Sequence, residues 1–195
     1  AREMRERVIK LVGDAASKVW IGTFHGSCVR ILRRYWSEIG TGAGFTIYDS
    51  PDQLGVVKEC MRELNISESR FNPQAIRSRI SRAKNELISP ENYVAEPENI
   101  YAKRVAEIYS LYQDKLMKAN AFDFDDLLMR TVRLFQEEPE ILDRYRRQFR
   151  YVMVDEYQDT NHAQYVLVSL LADKHHNLCV VGDDAQNIYS WRGAD

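Results

Sequence analysis

Hydrophobic residues recur at helical spacing along much of the chain. Residues 2–12 carry apolar side chains three and four positions apart, between arginines and glutamates, which predicts an amphipathic helix. A capping residue followed by proline predicts further helix starts at Ser50-Pro51, Asn72-Pro73 and Ser89-Pro90. The same spacing predicts helices over 26–39, about 52–64, 100–118 and 162–172, and a helix that opens at Asp123 and ends near Pro139.

Four short apolar runs interrupt the helical pattern and predict strands. Residues 19–24 and 45–48 are short and rich in β-branched and aromatic side chains. Residues 151–154 and 178–182 are unbroken apolar runs, which are typical of parallel strands buried on both faces. The sequence therefore predicts an α/β fold at both ends of the chain, with an all-helical block inserted between them.

Composition places the chain among ordinary globular proteins. Its 195 residues are 45% hydrophobic and 29% charged, which excludes a disordered tail and a collagen. The net charge of −2 gives no general argument for nucleic-acid binding, so such an argument needs local patches. Three cysteines without a CxxC spacing indicate neither a zinc ribbon nor a disulfide framework, and we expect a reducing cytosol.

Two polar segments directly follow the last two apolar runs. Asp155 and Glu156 follow the first run, and in an open α/β sheet ligands bind at the carboxyl ends of strands. One carboxylate could hold Mg²⁺ while its neighbour orients or deprotonates a water. The alternative is that both carboxylates cap the strand end and face solvent.

The second segment carries a different set of polar and aromatic side chains. Gln186 can donate and accept hydrogen bonds and so could sense a γ-phosphate. Tyr189, Trp191 and Arg192 suit stacking on unpaired bases, and the adjacent arginine favours this interpretation over the alternative that the two aromatic residues belong to the core. If the two strands are neighbours, the two segments line one nucleotide-facing cleft.

Five segments together resemble superfamily 1 DNA helicases of the UvrD/Rep/PcrA type. Residues 155–161 (DEYQDTN) resemble motif II, and residues 182–195 (GDDAQNIYSWRGAD) resemble motif III. Residues 23–28 (TFHGSC) resemble a DNA-contacting motif, and residues 1–4 the end of motif Ia. Residues 123–128 (DFDDLL) resemble a further signature of the family, so the match spans the chain in the family's order.

The resemblance implies a fold, an activity and a setting. It implies a partial RecA-like parallel sheet of the P-loop NTPase type, with residues 1–47 and 121–195 forming subdomain 1A and residues 48–120 a helical insertion, subdomain 1B. The implied activity is ATP- and Mg²⁺-dependent 3′→5′ translocation and duplex unwinding in DNA repair or replication. The implied partners are single-stranded DNA, single-strand/duplex junctions, the remaining motor domains and repair or replication accessory proteins, in the bacterial cytosol or nucleoid and not at a membrane.

The resemblance also implies roles for individual residues. It gives Mg²⁺ coordination to Asp155, water activation to Glu156, and coupling of the γ-phosphate to DNA movement to Gln186. Asn187 stands where the family usually has Ser, and we expect this small polar replacement to be tolerated. The implied DNA contacts are Phe24, His25, Tyr189, Trp191 and Arg192, although a lone histidine such as His25 also fits a structural role.

One family element is not found in the sequence. The 195 residues contain no GxxxxGK[ST], the loop that cradles phosphates. The chain begins at Ala1 inside a helical pattern and stops at Asp195 after a turn, so we expect a fragment of a larger protein. We expect the fragment alone to be inactive as an ATPase and a helicase.

Basic residues cluster in two places despite the neutral total. Arg30, Arg33 and Arg34 share one predicted helix. The inserted block carries a second cluster, which could track the phosphates of duplex DNA or simply form a solvated helix face. Its members are Arg77, Arg79, Arg82 and Lys84.

Two other functions fit parts of the sequence. The helical block could be a nucleic-acid or protein-interaction module without ATPase activity. A metal-dependent phosphoesterase could use Asp155, Glu156 and Asp159, but the sequence lacks a histidine or a further carboxylate cluster for a two-metal site.

Overall fold

The computed structural model describes residues 2–42 and 44–183, which form eight α-helices and four short strands. The helices are α1 (Arg2–Val12), α2 (Phe24–Arg34), α3 (Ser50–Glu63), α4 (Pro73–Asn85), α5 (Ile100–Lys118), α6 (Phe124–Glu137), α7 (Pro139–Gln148) and α8 (His162–Ala172). The strands are β1 (Thr46–Ile47), β2 (Ala121–Phe122), β3 (Val152–Val154) and β4 (Leu178–Val180). The predicted helices over 100–118 and 162–172 are confirmed.

The predicted strand over residues 19–24 is wrong. Thr23 is instead the N-cap of α2, and its hydroxyl accepts a hydrogen bond from the Gly26 amide at 3.1 Å. This bond satisfies an amide that the first helical turn leaves unpaired. Trp20 precedes the cap and donates from its indole nitrogen to Ser27 Oγ at 2.9 Å. The bulky side chains of this segment therefore anchor a helix start.

The three proline-marked helix starts have different outcomes. Asn72 caps α4 as predicted, whereas α3 is capped by Asp49 rather than Ser50, through reciprocal bonds between Asp49 and Asp52. Ser89 precedes only a short 3₁₀ turn, Pro90–Asn92. Pro97 lies a few residues further on, and a proline disfavours helical geometry in the residue before it.

The four strands form two small parallel sheets. Strand β1 pairs with β2, and β3 pairs with β4 in the register Val152 to Leu178, which confirms parallel pairing of the last two apolar runs. Burial of those runs on both faces is wrong, because Met153 is 76% exposed and Val180 45% exposed. Helix α8 covers one face of this sheet, where Val154 is buried. The described residues are thus mostly helical, with two small parallel sheets.

Buried side chains form two hydrophobic clusters. The first involves α2, α6, α7 and α8, with members such as Leu32, Phe135 and Leu167. The second involves α3, α4 and α5, with members such as Met61 and Ile108. The β1–β2 pair lies where the chain passes from one cluster to the other. No helix in residues 2–42 and 44–183 is long and apolar enough to cross a membrane.

Candidate functional site

The acidic pair lies directly after β3, as the sequence predicts. Both Asp155 and Glu156 are exposed to solvent. Glu156 has a φ of 54°, in the left-handed region that non-glycine residues rarely adopt. Such strain is kept only where surrounding contacts impose it, and it is common at functional sites.

Gln158 connects the acidic pair to the segment after β4. Its Nε2 donates to Glu156 Oε2 at 2.6 Å, and its Oε1 accepts from the Asp183 amide at 3.1 Å. Asp155 Oδ1 accepts from the Glu156 amide at 3.1 Å, which turns this carboxylate back along the loop. These hydrogen bonds therefore orient the side chains of Asp155, Glu156 and Gln158.

Backbone hydrogen bonds extend the β3–β4 pairing into the two polar segments. The Val181 amide donates to the Val154 carbonyl at 2.8 Å, and the Tyr157 amide donates to the Val181 carbonyl at 2.9 Å. The acidic pair and the start of the second segment thus lie at the same edge of the sheet. Gln186, Tyr189, Trp191 and Arg192 lie outside the described residues, so their placement stays a prediction.

The acidic pair fits part of a magnesium site. Mg²⁺ usually takes one or two protein carboxylates and completes its shell with waters and substrate phosphates. Asp155 is exposed, and within the described part of the chain only its Oδ1 accepts a hydrogen bond, from the Glu156 amide. Nearby, Asp159 Oδ1 is buried without a hydrogen-bond partner among the residues that the structure describes.

The metal-dependent phosphoesterase is not supported. Within residues 2–42 and 44–183, no group of three or more histidine, cysteine, aspartate or glutamate side chains could hold a metal ion. Asp155, Glu156 and Asp159 therefore do not converge on one site.

The predicted DNA contacts Phe24 and His25 occupy the first turn of α2. Both are partly buried, and Phe24 packs against the first hydrophobic cluster. The His25 ring meets the Phe124 ring edge-on, with 5.8 Å between centroids. These residues lie on a different element from the acidic pair, beside the start of α6.

The arginines of α2 lie over aromatic rings. The Arg30 guanidinium is 3.8 Å from the centre of the Trp20 ring, and Arg33 is 5.6 Å from that of Phe45. Guanidinium groups in this position gain cation–π attraction, worth about 0.5–1 kcal/mol at exposed sites. This cluster contributes to the packing of α2.

Lys84 is not part of a phosphate-tracking surface, which corrects that prediction. It is fully buried, and its Nζ lies 2.7 Å from Asp123 Oδ2 and 2.8 Å from Asp126 Oδ1. Tyr112 also donates to Asp123 Oδ2, at 2.8 Å. The two carboxylates offset the cost of burying the Lys84 ammonium group, because a charge that is removed from water must be paired. The ion cluster of Lys84, Asp123 and Asp126 joins α4 to α6.

The ion cluster shifts the pKa values of its members. Burial alone would lower the pKa of Lys84, but the two carboxylates raise it. Burial would raise the pKa of Asp123, but Lys84 lowers it. Burial and the neighbouring Asp123 raise the pKa of Asp126. The lysine therefore stays protonated beside Asp123.

Replacing Asp125 by asparagine is expected to stabilise the protein at alkaline pH. Burial and the Asp123 carboxylate raise the pKa of Asp125 to about 6 from 3.8. The carboxyl group therefore stays protonated to a higher pH in the native state than in the unfolded state. Stability from this group is therefore lost as the pH rises from about 4 through 6. At pH 8 Asp125→Asn should raise the free energy of unfolding by about 1–3 kcal/mol.

Urea unfolding of both proteins at pH 4 and pH 8 tests this expectation. The asparagine keeps the oxygen that accepts from Asn85 Nδ2, so the hydrogen bond is retained. The difference between the two proteins should shrink near pH 4. Equal stabilities at both pH values would contradict the expectation.

Replacing Gly182 by alanine is expected to disturb the junction of the two polar segments. A Cβ there would lie 2.6 Å from Gln158 Oε1 and 3.2 Å from the Gln158 amide nitrogen. Displacing the side chain breaks the bridge to Asp183, at a cost of about 1–2 kcal/mol. Urea unfolding measures the cost.

Gly55→Ala is the matched control for Gly182→Ala. Gly55 lies inside α3, and an added Cβ meets nothing within 4 Å. Alanine should therefore stabilise that helix by about 0.5–1 kcal/mol. Equal effects of the two substitutions would show that Gly182 is not packed against Gln158.

Comparison with known proteins finds relatives along the whole chain. The family model described as UvrD/REP helicase N-terminal domain matches residues 1–195. The chain is similar to proteins named ATP-dependent DNA helicase PcrA: it is 51% identical to that of Bacillus subtilis (strain 168) and 52% identical to that of Staphylococcus aureus (strain Mu50), each over 195 residues. These matches cover 100% of this chain but 26% and 27% of the relatives, so the chain spans about a quarter of their length.

Proposed function

The chain belongs to the UvrD/REP helicase N-terminal domain family, and on that basis we propose that it is the N-terminal motor part of an ATP-dependent DNA helicase. Its reaction is 3′→5′ translocation along single-stranded DNA, driven by ATP hydrolysis, with unwinding of duplex DNA in repair or replication. The observation that carries this proposal is the junction of the acidic loop with the segment after β4.

Asp155 and Glu156 have separate roles in this proposal. Asp155 would hold Mg²⁺, and the ion would supply charge neutralisation beside the phosphates of ATP. Glu156 accepts a hydrogen bond from Gln158 and orients or deprotonates the attacking water. Gln186 links the γ-phosphate to the DNA-contacting residues that follow it.

Single-stranded DNA is the proposed substrate of the neighbouring surface. Aromatic side chains stack on bases, at about 1–3 kcal/mol per base, and arginine adds charge. Partial burial of Phe24 and His25 on the first turn of α2 supports them as a fixed platform. The proposed contacts are Phe24, His25, Tyr189, Trp191 and Arg192.

The proposed domain division follows the two hydrophobic clusters. Residues 1–47 and 121–195 form the RecA-like subdomain 1A, and residues 48–120 form the helical insertion 1B. Pairing of Thr46 with Ala121 supports this division, because the chain leaves one cluster after β1 and returns to it at β2. A subdomain inserted in this way has both of its ends at one place.

The proposed partners are those of a motor domain. They are single-strand/duplex DNA junctions, the remaining motor domains of a longer chain, and repair or replication accessory proteins. The setting is the bacterial cytosol or nucleoid, with no membrane involved. The surface arginines Arg79 and Arg82 remain candidates for phosphate contacts on the insertion.

The 195-residue chain by itself is expected to show no DNA-stimulated ATP turnover. These residues contain no phosphate-cradling loop, and arginine fingers from another domain can contribute about 10³–10⁵ in rate. Phosphate release with and without single-stranded DNA measures this. Turnover that Glu156→Gln abolishes would contradict the expectation.

A PcrA-length protein that contains these residues tests the proposed function itself. It should hydrolyse ATP in response to single-stranded DNA and unwind a duplex with a 3′ tail. DNA binding without ATP hydrolysis would instead favour the helical interaction module.

A further inference from the structure

Asn85, the last residue of α4, lies between three polar groups. Its Nδ2 donates to the Ser81 carbonyl at 2.9 Å and to Asp125 Oδ1 at 3.1 Å. Its Oδ1 accepts from Asn161 Nδ2 at 2.6 Å. A side-chain amide donates and accepts at once, which no carboxylate or ammonium group can do at neutral pH.

Asn161 is the last residue of the acidic segment that starts at Asp155. It caps α8 through reciprocal hydrogen bonds. Its Oδ1 accepts from the backbone amide of Gln164 at 3.0 Å, and its own backbone amide donates to Gln164 Oε1 at 2.9 Å. Thr160, the residue before it, is buried. The hydrogen bond from Asn161 to Asn85 therefore ties the C-terminal end of the acidic segment to α4.

We propose that Asn85 is a positioning residue that fixes the acidic segment, residues 155–161, from the helical block, residues 48–120. The connection runs from α4 through the amide pair of Asn85 and Asn161 to the loop that bears Glu156. The adjacent ion cluster anchors the same end of α4, because Lys84 binds Asp123. A movement of the helical block is thereby transmitted to the segment that bears the acidic pair. The relevance of this link to ATP hydrolysis rests on the proposed function.

Hydrogen exchange in the 195-residue chain tests the positioning without any enzyme assay. Loss of one hydrogen bond is worth about 0.5–1.5 kcal/mol, so Asn85→Ala should speed exchange about 2- to 10-fold at the affected amides. Those amides belong to Asp159, Thr160 and Gln164. The Val152 and Val181 amides, which pair within the sheet, should keep their rates.

Asn99→Ala is the matched control. Asn99 also belongs to the helical block and caps α5 through a bond from the Ala102 amide at 2.9 Å, away from the acidic segment. It should leave exchange at residues 159–164 unchanged. No local change with Asn85→Ala, or the same change with both variants, overturns the proposal.

A complementary pair of substitutions separates the hydrogen bond from general damage. Asn85→Asp keeps an oxygen that can accept from Asn161 Nδ2, but it places a carboxylate against Asp125 and the Ser81 carbonyl. This repulsion should displace the side chain at position 85 and so speed exchange in the acidic segment. Adding Asp125→Asn supplies an amide that can donate to the carboxylate introduced at position 85. The proposal is supported if exchange in the double variant is slower than the sum of the two single effects predicts. Additive effects of the two substitutions oppose the proposal.

The consequence for catalysis is measured in the PcrA-length protein. Asn85→Ala should lower the DNA-stimulated kcat about 2- to 10-fold and leave the KM for ATP unchanged. Unchanged kcat despite faster local exchange overturns the link to hydrolysis. If the unsubstituted protein hydrolyses no ATP, the proposed function fails, while hydrogen exchange still decides the positioning role.

Discussion

Replacing Glu156 by glutamine is expected to slow DNA-stimulated ATP hydrolysis about 10²- to 10⁴-fold in a PcrA-length protein that contains these residues. Glutamine keeps the size of the side chain and removes its capacity to take a proton. Glu156 is exposed at the sheet edge and is oriented by Gln158, which suits a group that acts on a bound water. Steady-state phosphate release at saturating DNA measures the loss.

Glu140→Gln is the control for the loss of one carboxylate. Glu140 lies in the first turn of α7 and is exposed. It should change the rate little, and nucleotide affinity should survive in both variants. An unchanged rate with Glu156→Gln would remove Glu156 from the chemistry.

Replacing Lys84 by methionine is expected to lower the free energy of unfolding by about 3–5 kcal/mol. Methionine fills much of the same volume but leaves Asp123 and Asp126 as two buried carboxylates without a cation. Urea unfolding of the 195-residue chain at pH 7 measures the loss. If the variant is unfolded without urea, the same comparison with Asp123→Asn and Asp126→Asn added should restore folding, because the uncompensated charges are gone.

Lys115→Met provides a matched comparison. Lys115 also bridges two carboxylates, Glu59 at 2.9 Å and Glu63 at 2.7 Å, but both glutamates are more than half exposed. Exposed ion pairs contribute about 0–1 kcal/mol, so this substitution should cost little. Similar losses for the two lysines would contradict the importance of burial.

Helices α4 and α5 were predictable because their patterns are local. The apolar stripe of 100–118 and the Asn72-Pro73 cap each lie within a few turns of chain, and α5 and α4 form there. The placement of Asp155 after a short apolar strand was predictable for the same reason. The parallel direction of β3 and β4 followed from the rule that two strands of one sheet joined by a helix run parallel, whereas their direct pairing was left open by the sequence.

The ion cluster was not predictable from charge alone. Lys84 lies 39 positions from Asp123, and the sequence groups it with the arginines of α4. A signal was present, since Lys84 follows Ile76 and Ile80 at intervals of four and therefore lies on the buried face of that helix. A lysine in an apolar stripe indicates a buried partner rather than a surface patch.

The start of α2 and the hydrogen bonds of Gln158 to Glu156 and Asp183 were not predicted, because both depend on particular contacts rather than on a repeating pattern. Residues 19–24 have strand-like composition, but the Thr23 hydroxyl caps a helix, and the partly buried Trp20 packs edge-on against Phe149. The Gln158 bridge depends on the approach of Gly182, which is set by strand register. Neither contact leaves a periodic trace in the sequence.

Metal specificity tests the central claim most directly, namely that the acidic pair after β3 faces the magnesium–nucleotide complex. Asp155→Cys exchanges a hard oxygen ligand for a soft thiolate, which binds Mg²⁺ poorly and Cd²⁺ well. In the PcrA-length protein this variant should lose DNA-stimulated ATP hydrolysis with Mg²⁺ and regain part of it when Cd²⁺ is added, relative to the unsubstituted protein in the same metals. Hydrolysis that falls equally in every metal, or that does not fall at all, would contradict the claim.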